Sequence, residues 1–369
     1  MNLNSACNLD EASFWRKLPK LAKDKPVVLY GMGNGADKLL CQLAKIAIEP
    51  AGIFASDEFV RGQSYANMKV LTYGAAKARF GEMLILICFG SEQPEVLQNM
   101  YRIAAEQQVY APHLPLFGAG LFNEEFAAQY YNELQEAAAV WADRESRRVY
   151  GDYLRYLWTG RISYLRQVTS PREDAWGRLS LSHEECYLDL GAYDGDTVRY
   201  FCQMTRGKWQ QIWALEPDPK NFIKLQKGLA DIPNCCALQV AAGGSSELRL
   251  FADKAGRSSA LWFPEDLLNT KTTKLTKLPT MNLDDLLREQ LGTPPTLIKL
   301  DVEGAEEEVL CGAAKLLAKY KPKLILAAYH RTEDIFRLPL LLKRLNPEYR
   351  LYLRHHPYVP GWETNIYAI

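Results

Sequence analysis

One strand-turn-helix-strand pattern, in residues 187–218, constrains the fold of this chain most. It consists of Tyr187-Leu-Asp-Leu-Gly-Ala-Tyr-Asp-Gly-Asp-Thr197, followed by Ile212-Trp-Ala-Leu-Glu-Pro-Asp218. The apolar runs are typical of buried parallel strands, while Gly191 and Gly195 allow a tight turn and the close approach of a ligand. Asp196 and Thr197 suit the start of a helix whose free N–H groups face that turn. The pattern therefore predicts a cofactor site at the carboxyl end of a strand in an α/β sheet.

The spacing of this turn separates two classes of cofactor. Dinucleotide folds use G-x-G-x-x-G and rest a pyrophosphate on the helix N-terminus, whereas this chain has Asp189-x-Gly191-x-x-x-Gly195 with Asp194 and Asp196 beside it. Carboxylates would repel phosphate but suit a sulfonium and an amino group, which indicates S-adenosylmethionine (SAM). A plain βαβ turn with surface acids is the alternative. We assign cofactor binding to Asp189, Gly191, Ala192, Asp194, Gly195, Asp196, Thr197, Glu216, Pro217, Asp218 and Ala241, with Glu216 on the ribose hydroxyls.

Composition limits the expected binding partners and the expected cellular compartment of the protein. At 369 residues the chain predicts two or three compact units. Because 44 basic residues balance 44 acidic ones, nothing favours binding to nucleic acid or to an anionic membrane. The eight cysteines include no C-x-x-C pair and read as reduced, buried thiols. The start lacks a secretory pattern, and no run reaches the ~20 apolar residues that span a bilayer. We therefore expect a cytoplasmic protein.

Residues 1–118 are predicted to form a small Rossmann-like α/β domain. Apolar runs at 27–30, 52–57, 69–71 and 83–88 alternate with a helical pattern at 37–47. The turn after the first run fits G-x-G-x-x-A at Gly31, Gly33 and Ala36, and Asp57 follows where a dinucleotide fold places its ribose-binding acid. This motif fixes a strand-turn-helix corner as well as it binds a nucleotide. NAD binding, sugar-nucleotide binding and a purely structural role all remain open.

Residues 119–180 are predicted to form a helical connector of at least two segments. Large apolar residues recur at spacings of three and four between charges, as in Tyr150, Leu154, Leu157 and Trp158. The favoured interpretation is that these side chains pack against a neighbouring unit. The alternative is that Tyr153, Tyr156 or Trp158 forms a lid over a substrate cleft.

Residues 181–369 read as a doubly wound sheet. Strands at 186–190, 211–215, 237–240, 296–301 and 323–328 alternate with helices, and residues 246–287 show a period of two that predicts β-ribbons at the sheet edge. The segments 350–356 and 364–368 predict a closing antiparallel hairpin. Ligands bind beyond the carboxyl ends of strands in such sheets, where Asp189, Glu216, Asp301 and His330 all lie.

This half of the chain resembles the FkbM-type SAM-dependent methyltransferases over about residues 181–369. The motifs are Leu188-Asp-Leu-Gly-Ala-x-x-Gly-Asp-Thr197, Glu216-Pro-Asp218, Leu283-Asp-Asp-Leu-Leu287, Ile298-Lys-Leu-Asp-Val-Glu-Gly-Ala-Glu306 and Glu308-Val-Leu-Cys-Gly-Ala-Ala314. The resemblance implies a class I fold with a seven-stranded, mostly parallel sheet. It also implies O-methylation of a hydroxyl on a sugar, glycan precursor or natural product, with SAM converted to S-adenosylhomocysteine (SAH). The acceptor is then a small molecule or carbohydrate, and a homodimer remains open.

The chain departs from the family after the fifth strand. Members often carry an acid there, whereas this chain has Leu326-Ala-Ala-Tyr-His330, so the role of that acid cannot be transferred. We predict instead that Asp301 or Glu303 orients or deprotonates the acceptor, that Lys299 tunes their ionisation and that His330 serves as base or orienter. Asp301 acting only as a helix cap is the alternative.

Three further hypotheses compete with this interpretation. Asp301, Glu303 and His330 could hold a divalent metal that lowers the pKa of the acceptor hydroxyl, although no recognised ligand spacing supports this and we predict no metal. A non-catalytic protein that keeps the SAM fold or binds a sugar nucleotide is the second. An enzyme whose first domain binds NAD is the third.

Overall fold

The first sheet of the computed structural model lies in the N-terminal part of the chain; the structure describes residues 11–118, 120–253, 260–261 and 274–369. Its strands in the described residues are β1 (Val27–Tyr30), β2 (Gly52–Phe54), β3 (Ser64–Tyr65), β4 (Met68–Leu71), β5 (Leu84–Ile87) and β6 (Gln108–Tyr110). They are ordered β3-β4-β2-β1-β5-β6. All neighbours run parallel except β3 and β4, which form an antiparallel hairpin. The predicted α/β character of this region matches that arrangement.

Helices cover this sheet. They are α1 (Phe14–Asp24), α2 (Asn34–Lys45), α3 (Tyr73–Phe80) and α4 (Pro94–Glu106). Local chemistry explains their starts, because the Thr72 side chain caps α3 through the N–H of Ala75 and a proline occupies the first position of α4. Helix α2 begins three residues before the predicted Asp37. Strand β3 folds back beside β4 and forms the edge of the sheet.

The region predicted as a helical connector of at least two segments contains five helices in its described residues. They are α5 (Glu124–Gln129), α6 (Tyr131–Ala139), α7 (Arg144–Thr159), α8 (Ile162–Val168) and α9 (Arg172–Gly177). The Asp143 side chain caps α7 through the N–H of Ser146 at 2.7 Å, and Gly160 ends it in the left-handed conformation. Tyr153, Tyr156 and Trp158 are buried. Their burial agrees with the packing interpretation and not with a lid.

The C-terminal half contains two more sheets. Its described strands are β7 (Cys186–Leu190), β8 (Gln211–Leu215), β9 (Cys235–Leu238), β10 (Ala241–Ala242), β11 (Glu247–Asp253), β12 (Ala260–Leu261), β13 (Lys274–Met281), β14 (Leu297–Leu300), β15 (Lys323–Ala327), β16 (Leu351–His355) and β17 (Thr364–Ala368). The larger sheet has the order β16-β17-β15-β14-β7-β8-β9. Strand β17 is antiparallel to both neighbours, while the other pairs are parallel. The predicted seven-stranded, mostly parallel sheet and its closing hairpin are confirmed.

The helices of this half are α10 (Asp196–Met204), α11 (Pro219–Gly228), α12 (Leu283–Leu286), α13 (Glu306–Cys311), α14 (Ala314–Tyr320) and α15 (Asp334–Leu345). Residues 283–287 were predicted within β-ribbons, and that prediction is wrong because the Asn282 side chain caps a helical turn through the N–H of Asp285 at 2.8 Å. Helices α13 and α14 are separated at Gly312, where a Cβ atom would lie 2.8 Å from the carbonyl oxygen of Gly243.

The predicted β-ribbons form a sheet of their own. Strands β10 to β13 are ordered β10-β13-β11-β12, and β13 pairs antiparallel with β11 along its whole length. Within the predicted β-ribbon region 246–287, residues 254–259 and 262–273 lie outside the described residues.

One apolar cluster joins all three parts of the chain. Ile85 of the first sheet, Leu157 of the connector and Ile298 of the large sheet belong to the same buried group. The predicted divisions at 118 and 180 therefore cross a shared core, and they stay a prediction. No helix among the described residues is long and apolar enough to cross a membrane.

The cysteines differ from expectation in their burial. Those in the described part of the chain are free thiols. Cys88 and Cys186 are buried, but Cys41, Cys236 and Cys311 are exposed, so the prediction of burial is wrong for these three. Cys7 lies outside the described residues.

Candidate active site

A cleft lies at the carboxyl ends of β7, β8, β14 and β15. Its volume is about 260 Å³, and its position matches the ligand site of open α/β sheets. The predicted residues that line it are Gly191, Asp196, Thr197, Glu216, Pro217, Ala241, Lys299, Asp301, Glu303 and His330. The predicted residues outside its lining are Asp189, Ala192, Asp194, Gly195 and Asp218. The structure thus brings the predicted catalytic residues and more than half of the predicted cofactor-binding residues to one cavity.

Gly191 joins the ends of three strands. Its φ is +80°, and a Cβ atom there would lie 1.9 Å from the carbonyl oxygen of Asp301. The N–H groups of Gly191 and Ala192 both donate to the carbonyl oxygen of Leu215, at 3.1 and 2.9 Å. Only glycine fits this position, because the two loops touch through their backbones.

Asp189 lies beneath the floor of the cleft. It is fully buried and accepts a hydrogen bond of 2.5 Å from the Thr197 hydroxyl, and its other oxygen lies 3.4 Å from Nζ of Lys299. Burial raises the pKa of Asp189, although Lys299 opposes that rise. Asp189 therefore touches two residues that line the cleft and holds them in place.

The other predicted residues outside the lining have structural contacts. Asp218 caps α11 by accepting from the N–H groups of Lys220 and Asn221, both at 2.9 Å. Asp194 accepts from the N–H of Asp196 at 3.2 Å and pairs with Arg199 at 3.1 Å. These carboxylates shape the loops around the cleft, and a direct role in cofactor binding stays a prediction.

Glu216 faces the cleft at the end of β8. Its two oxygens accept from the N–H groups of Tyr193 and Asp218, both at 2.9 Å. Burial raises its pKa to about 7, and these hydrogen bonds partly offset that rise. A carboxylate oxygen can accept two hydrogen bonds, so each keeps capacity for a ligand hydroxyl.

Lys299 lies in β14 and Asp301 directly follows that strand; the two are two residues apart and so share one face. Nζ of Lys299 lies 3.4 Å from Oδ2 of Asp301, at the same distance as from Asp189. Acidic neighbours outweigh burial and raise the pKa of Lys299. Burial alone would raise the pKa of Asp301, but Lys299 and His330 hold it below its usual range. Asp301 therefore stays a carboxylate beside a fixed cation.

His330 follows β15 and faces three carboxylates. Its Nδ1 lies 2.8 Å from Glu306, while its Nε2 lies 3.4 Å from Asp301 and 3.7 Å from Glu303. Burial lowers the pKa of His330, but the carboxylates outweigh burial and raise it to about 10. The imidazolium form therefore predominates at neutral pH.

Glu303 combines an unusual backbone with an unusual ionisation. Its φ is +55°, a left-handed conformation that is strained for a residue with a side chain and that concentrates at functional sites. Burial raises its pKa to about 7, while His330 partly offsets the rise. Of the two cleft carboxylates beside His330, Glu303 is therefore the one poised to exchange a proton near neutral pH.

The arrangement also bears on the metal hypothesis. Asp301, Glu306 and His330 each place one ligand atom within 4.8 Å of the others, so Glu306 takes the position that the sequence assigned to Glu303. The Nδ1 atom of His330 already bonds Glu306 at 2.8 Å. Metal binding here stays a hypothesis.

The predicted resemblance is confirmed by comparison with known families. Residues 189–360 match the family model of the methyltransferase FkbM domain. The chain contains an FkbM methyltransferase domain. That match begins at Asp189 and covers Glu216, Asp301, Glu303 and His330. A search of the curated proteins finds no match.

One solved structure supports the same fold. The FkbM methyltransferase from Methylobacillus flagellatus KT is 19% identical, covers 100% of this chain and 97% of its own, and superposes with a TM-score of 0.70. Aeropyrum pernix fibrillarin in complex with natively bound S-adenosyl-L-methionine is 13% identical over 53% and 73% of the two chains, with a TM-score of 0.33. Precorrin-6y C5,15-methyltransferase from Geobacter metallireducens GS-15 is 13% identical over 54% and 86%, with a TM-score of 0.34. The last two likenesses are too partial to bear on function.

Several cleft residues of the FkbM domain and its neighbours escaped the sequence analysis. They are Glu92, Leu116, Arg172, Trp176, Tyr193, Asn221, Tyr358, Trp362, Glu363, Asn365 and Tyr367, among others. Most lie on loops or far along the chain from the recognised motifs. The Pro/Gly-rich tip between β16 and β17 was the available signal for Tyr358, Trp362 and Glu363.

The dinucleotide-like corner lies outside the FkbM cleft. A Cβ atom on Gly31 would lie 2.3 Å from the Phe89 ring, so packing alone explains this glycine. The Tyr65 hydroxyl lies 2.6 Å from Asp37 and 2.8 Å from the Gly33 carbonyl oxygen. Asp57 is exposed in a single 3-10 turn. NAD binding and sugar-nucleotide binding at this corner stay hypotheses beside the structural role.

Proposed function

We propose that the chain is a SAM-dependent O-methyltransferase that acts on a hydroxyl of a small molecule or carbohydrate. The observation that carries the proposal is the meeting of Glu216 with Asp301, Glu303 and His330 in one cleft of an FkbM domain. The first carboxylate suits the cofactor, and the remaining three residues suit proton transfer from an acceptor.

The cofactor end of the cleft fits SAM by its chemistry. Glu216 offers acceptor capacity for ribose hydroxyls, while Leu215, Val240 and Ala241 supply an apolar wall suited to a purine ring. The cleft lining carries six carboxylates against Arg172, Lys299 and His330, an excess that favours a sulfonium over a phosphate. Gly191 also lines the cleft, and its lack of a Cβ atom lets the Asp301 loop pack against this turn. When bound, SAM supplies an electrophilic methyl group whose transfer releases SAH.

Proton removal is the task of the acceptor side. We assign Glu303 as the group that takes the hydroxyl proton as the acceptor oxygen bonds to the methyl carbon and the carbon–sulfur bond breaks. Its pKa of about 7 makes it partly ionised and basic enough at neutral pH. Asp301 and His330 hold positions and charges around it, since His330 Nε2 lies between the two carboxylates. Lys299 keeps Asp301 ionised.

Methyl-labelled SAM tests this proposal. The protein is incubated with it and with a fractionated small-molecule extract of the source cells, and the labelled products are identified by mass analysis. We expect label on a hydroxyl oxygen, formed by the native protein and lost in Glu303→Gln. Label on an amine would refute O-methylation, and failure of the native protein to bind SAM in a calorimetric titration would refute the cofactor assignment.

A further inference from the structure

Two loops of the first sheet reach the cleft of the FkbM domain. They follow the carboxyl ends of β5 and β6 and bring Glu92 and Leu116 into its lining. The N–H groups of Leu116 and Phe117 both donate to the carbonyl oxygen of His330 at 3.1 Å. The first sheet therefore supports the backbone of a predicted catalytic residue.

The loop after β5 also docks on the tip between β16 and β17. Ser91 and Val359 exchange two backbone hydrogen bonds, of 2.9 and 3.1 Å. A Cβ atom on Gly90 would lie 2.4 Å from the Trp362 ring and 2.8 Å from the Tyr358 ring. Because both rings line the cleft, the N-terminal unit and the tip together form one wall of it.

This wall carries a charged triad. Nη2 of Arg172 lies 3.0 Å from Glu363 and 3.8 Å from Glu92. One guanidinium therefore faces a carboxylate of the N-terminal unit and a carboxylate of the tip. Glu363 has a φ of +58° and is, with Tyr193 and Glu303, one of three cleft residues with a side chain in the left-handed region. Strain held at such positions is common in ligand sites.

We infer that the N-terminal unit completes the acceptor pocket, and that Glu92, Arg172 and Glu363, with the rings of Tyr358 and Trp362, form a subsite that selects acceptors without phosphate or carboxylate groups. The inference rests on the proposed function, which supplies the cofactor at the opposite end of the cleft. The subsite gives the N-terminal unit a role in substrate selection.

The charge balance explains the selection. Arg172 is the natural partner for an anion, but the two carboxylates compensate its charge and leave the triad with a net charge of −1. An anionic acceptor would also face Asp301 and Glu303 in the same cleft. A hydroxyl-rich acceptor can exchange hydrogen bonds with the triad, while the rings of Tyr358 and Trp362, whose centroids are 5.5 Å apart, offer an apolar surface.

Titration of inorganic phosphate by calorimetry tests this selection in the full-length SAH complex. The native protein is expected to bind phosphate weakly or not at all. The double variant Glu92→Gln/Glu363→Gln should bind phosphate at least about tenfold more tightly, because the positive charge of Arg172 is then no longer compensated. Adding Arg172→Gln to that variant should abolish the gain. The control Glu95→Gln removes the same charge from the exposed start of α4, outside the cleft, and should change nothing.

Further measurements separate a failure of this inference from a failure of the proposed function or of folding. SAH affinity measured on each variant shows whether the fold persists, and the phosphate titration repeated without SAH remains valid if the cofactor assignment fails. The fluorescence of Trp362 is isolated as the difference between the native protein and Trp362→Phe. Caesium cations should quench it more strongly than iodide anions, because the neighbouring triad has a net negative charge. Phosphate binding by the native protein equal to that of the double variant, or preferential quenching by iodide, would overturn the inference.

Discussion

Glu306 and His330 form a buried pair in which Oε1 of the carboxylate lies 2.8 Å from Nδ1 of the imidazole. Glu306 is fully buried and His330 is 2% exposed. The same Glu306 oxygen accepts from the N–H of Val302 at 2.9 Å, so it also shapes the loop that carries Glu303. This one carboxylate thus orients both His330 and the loop of Glu303 in the candidate site.

Glu306→Gln should destabilise the protein and lower the pKa of His330. Removing one charge of a buried pair costs about 3 kcal/mol of unfolding free energy, and loss of the largest acidic influence weakens the imidazolium. Denaturant unfolding measures the first effect and NMR titration of the His330 ring the second. Glu307→Gln removes an equal charge from the exposed neighbour and should leave both values unchanged; an unaltered His330 titration in Glu306→Gln would contradict the assigned coupling.

The rate of methyl transfer should depend on pH through Glu303 and His330. Protonated Glu303 cannot accept a proton, so kcat/KM should rise with pH and level off above about 7. His330 loses its charge above about 10, where the rate should fall. Glu303→Gln should lower kcat by about 10² to 10⁴ and remove the lower limb. A lower limb that persists in this variant would assign the base to another group.

Glu216→Gln should weaken SAM binding, whereas Asp57→Asn should not. Loss of charge-assisted hydrogen bonds to the ribose is expected to raise the dissociation constant about 10- to 100-fold. Asp57 is exposed and outside the cleft lining, so it serves as the matched control. Calorimetric titration with SAM measures both. The reverse result would move the cofactor to the N-terminal unit.

Gly191→Ala should unfold the protein at lower denaturant concentration. A methyl group would overlap the Asp301 carbonyl oxygen, and φ at this position is unfavourable for alanine; together these effects cost about 3 kcal/mol. Gly177→Ala is the control, because nothing lies within 4 Å of a Cβ atom there and alanine favours its helix. Equal unfolding midpoints for the two variants would show that the contact between Gly191 and the Asp301 loop does not contribute to stability.

Chelation should leave methyl transfer unchanged. The carboxylates around His330 are already paired with the positive charge of the imidazolium. We therefore expect that they do not require a metal ion for activity. Activity is measured after exhaustive dialysis against EDTA, with and without added Mg²⁺ or Mn²⁺. A loss that either ion restores would instead establish Asp301, Glu306 and His330 as ligands.

The order of strands and helices in the large sheet followed from the sequence because its apolar runs are continuous and its turns are marked by glycine and acids. Strands β7 and β8 were predicted to the residue, and the placement of Glu216, Asp301 and His330 at carboxyl ends followed from that order. The β-ribbon prediction failed at residues 283–287, where the local spacing is helical. Leu283, Leu286 and Leu287 have the i, i+3, i+4 spacing of a helix face, and the Asn282 side chain caps the segment.

Sequence motifs determined the class of fold and the group of residues that would share a cleft, since local patterning decides which segments become parallel strands. Only tertiary structure decided that Glu306 bonds His330 and that Glu92 meets Arg172 in one wall of the cleft. Eighty residues separate Glu92 from Arg172, and no periodicity encodes their approach. Their meeting depends on how the first sheet, the connector and the β16–β17 tip pack around one apolar core, which is a property of the whole chain.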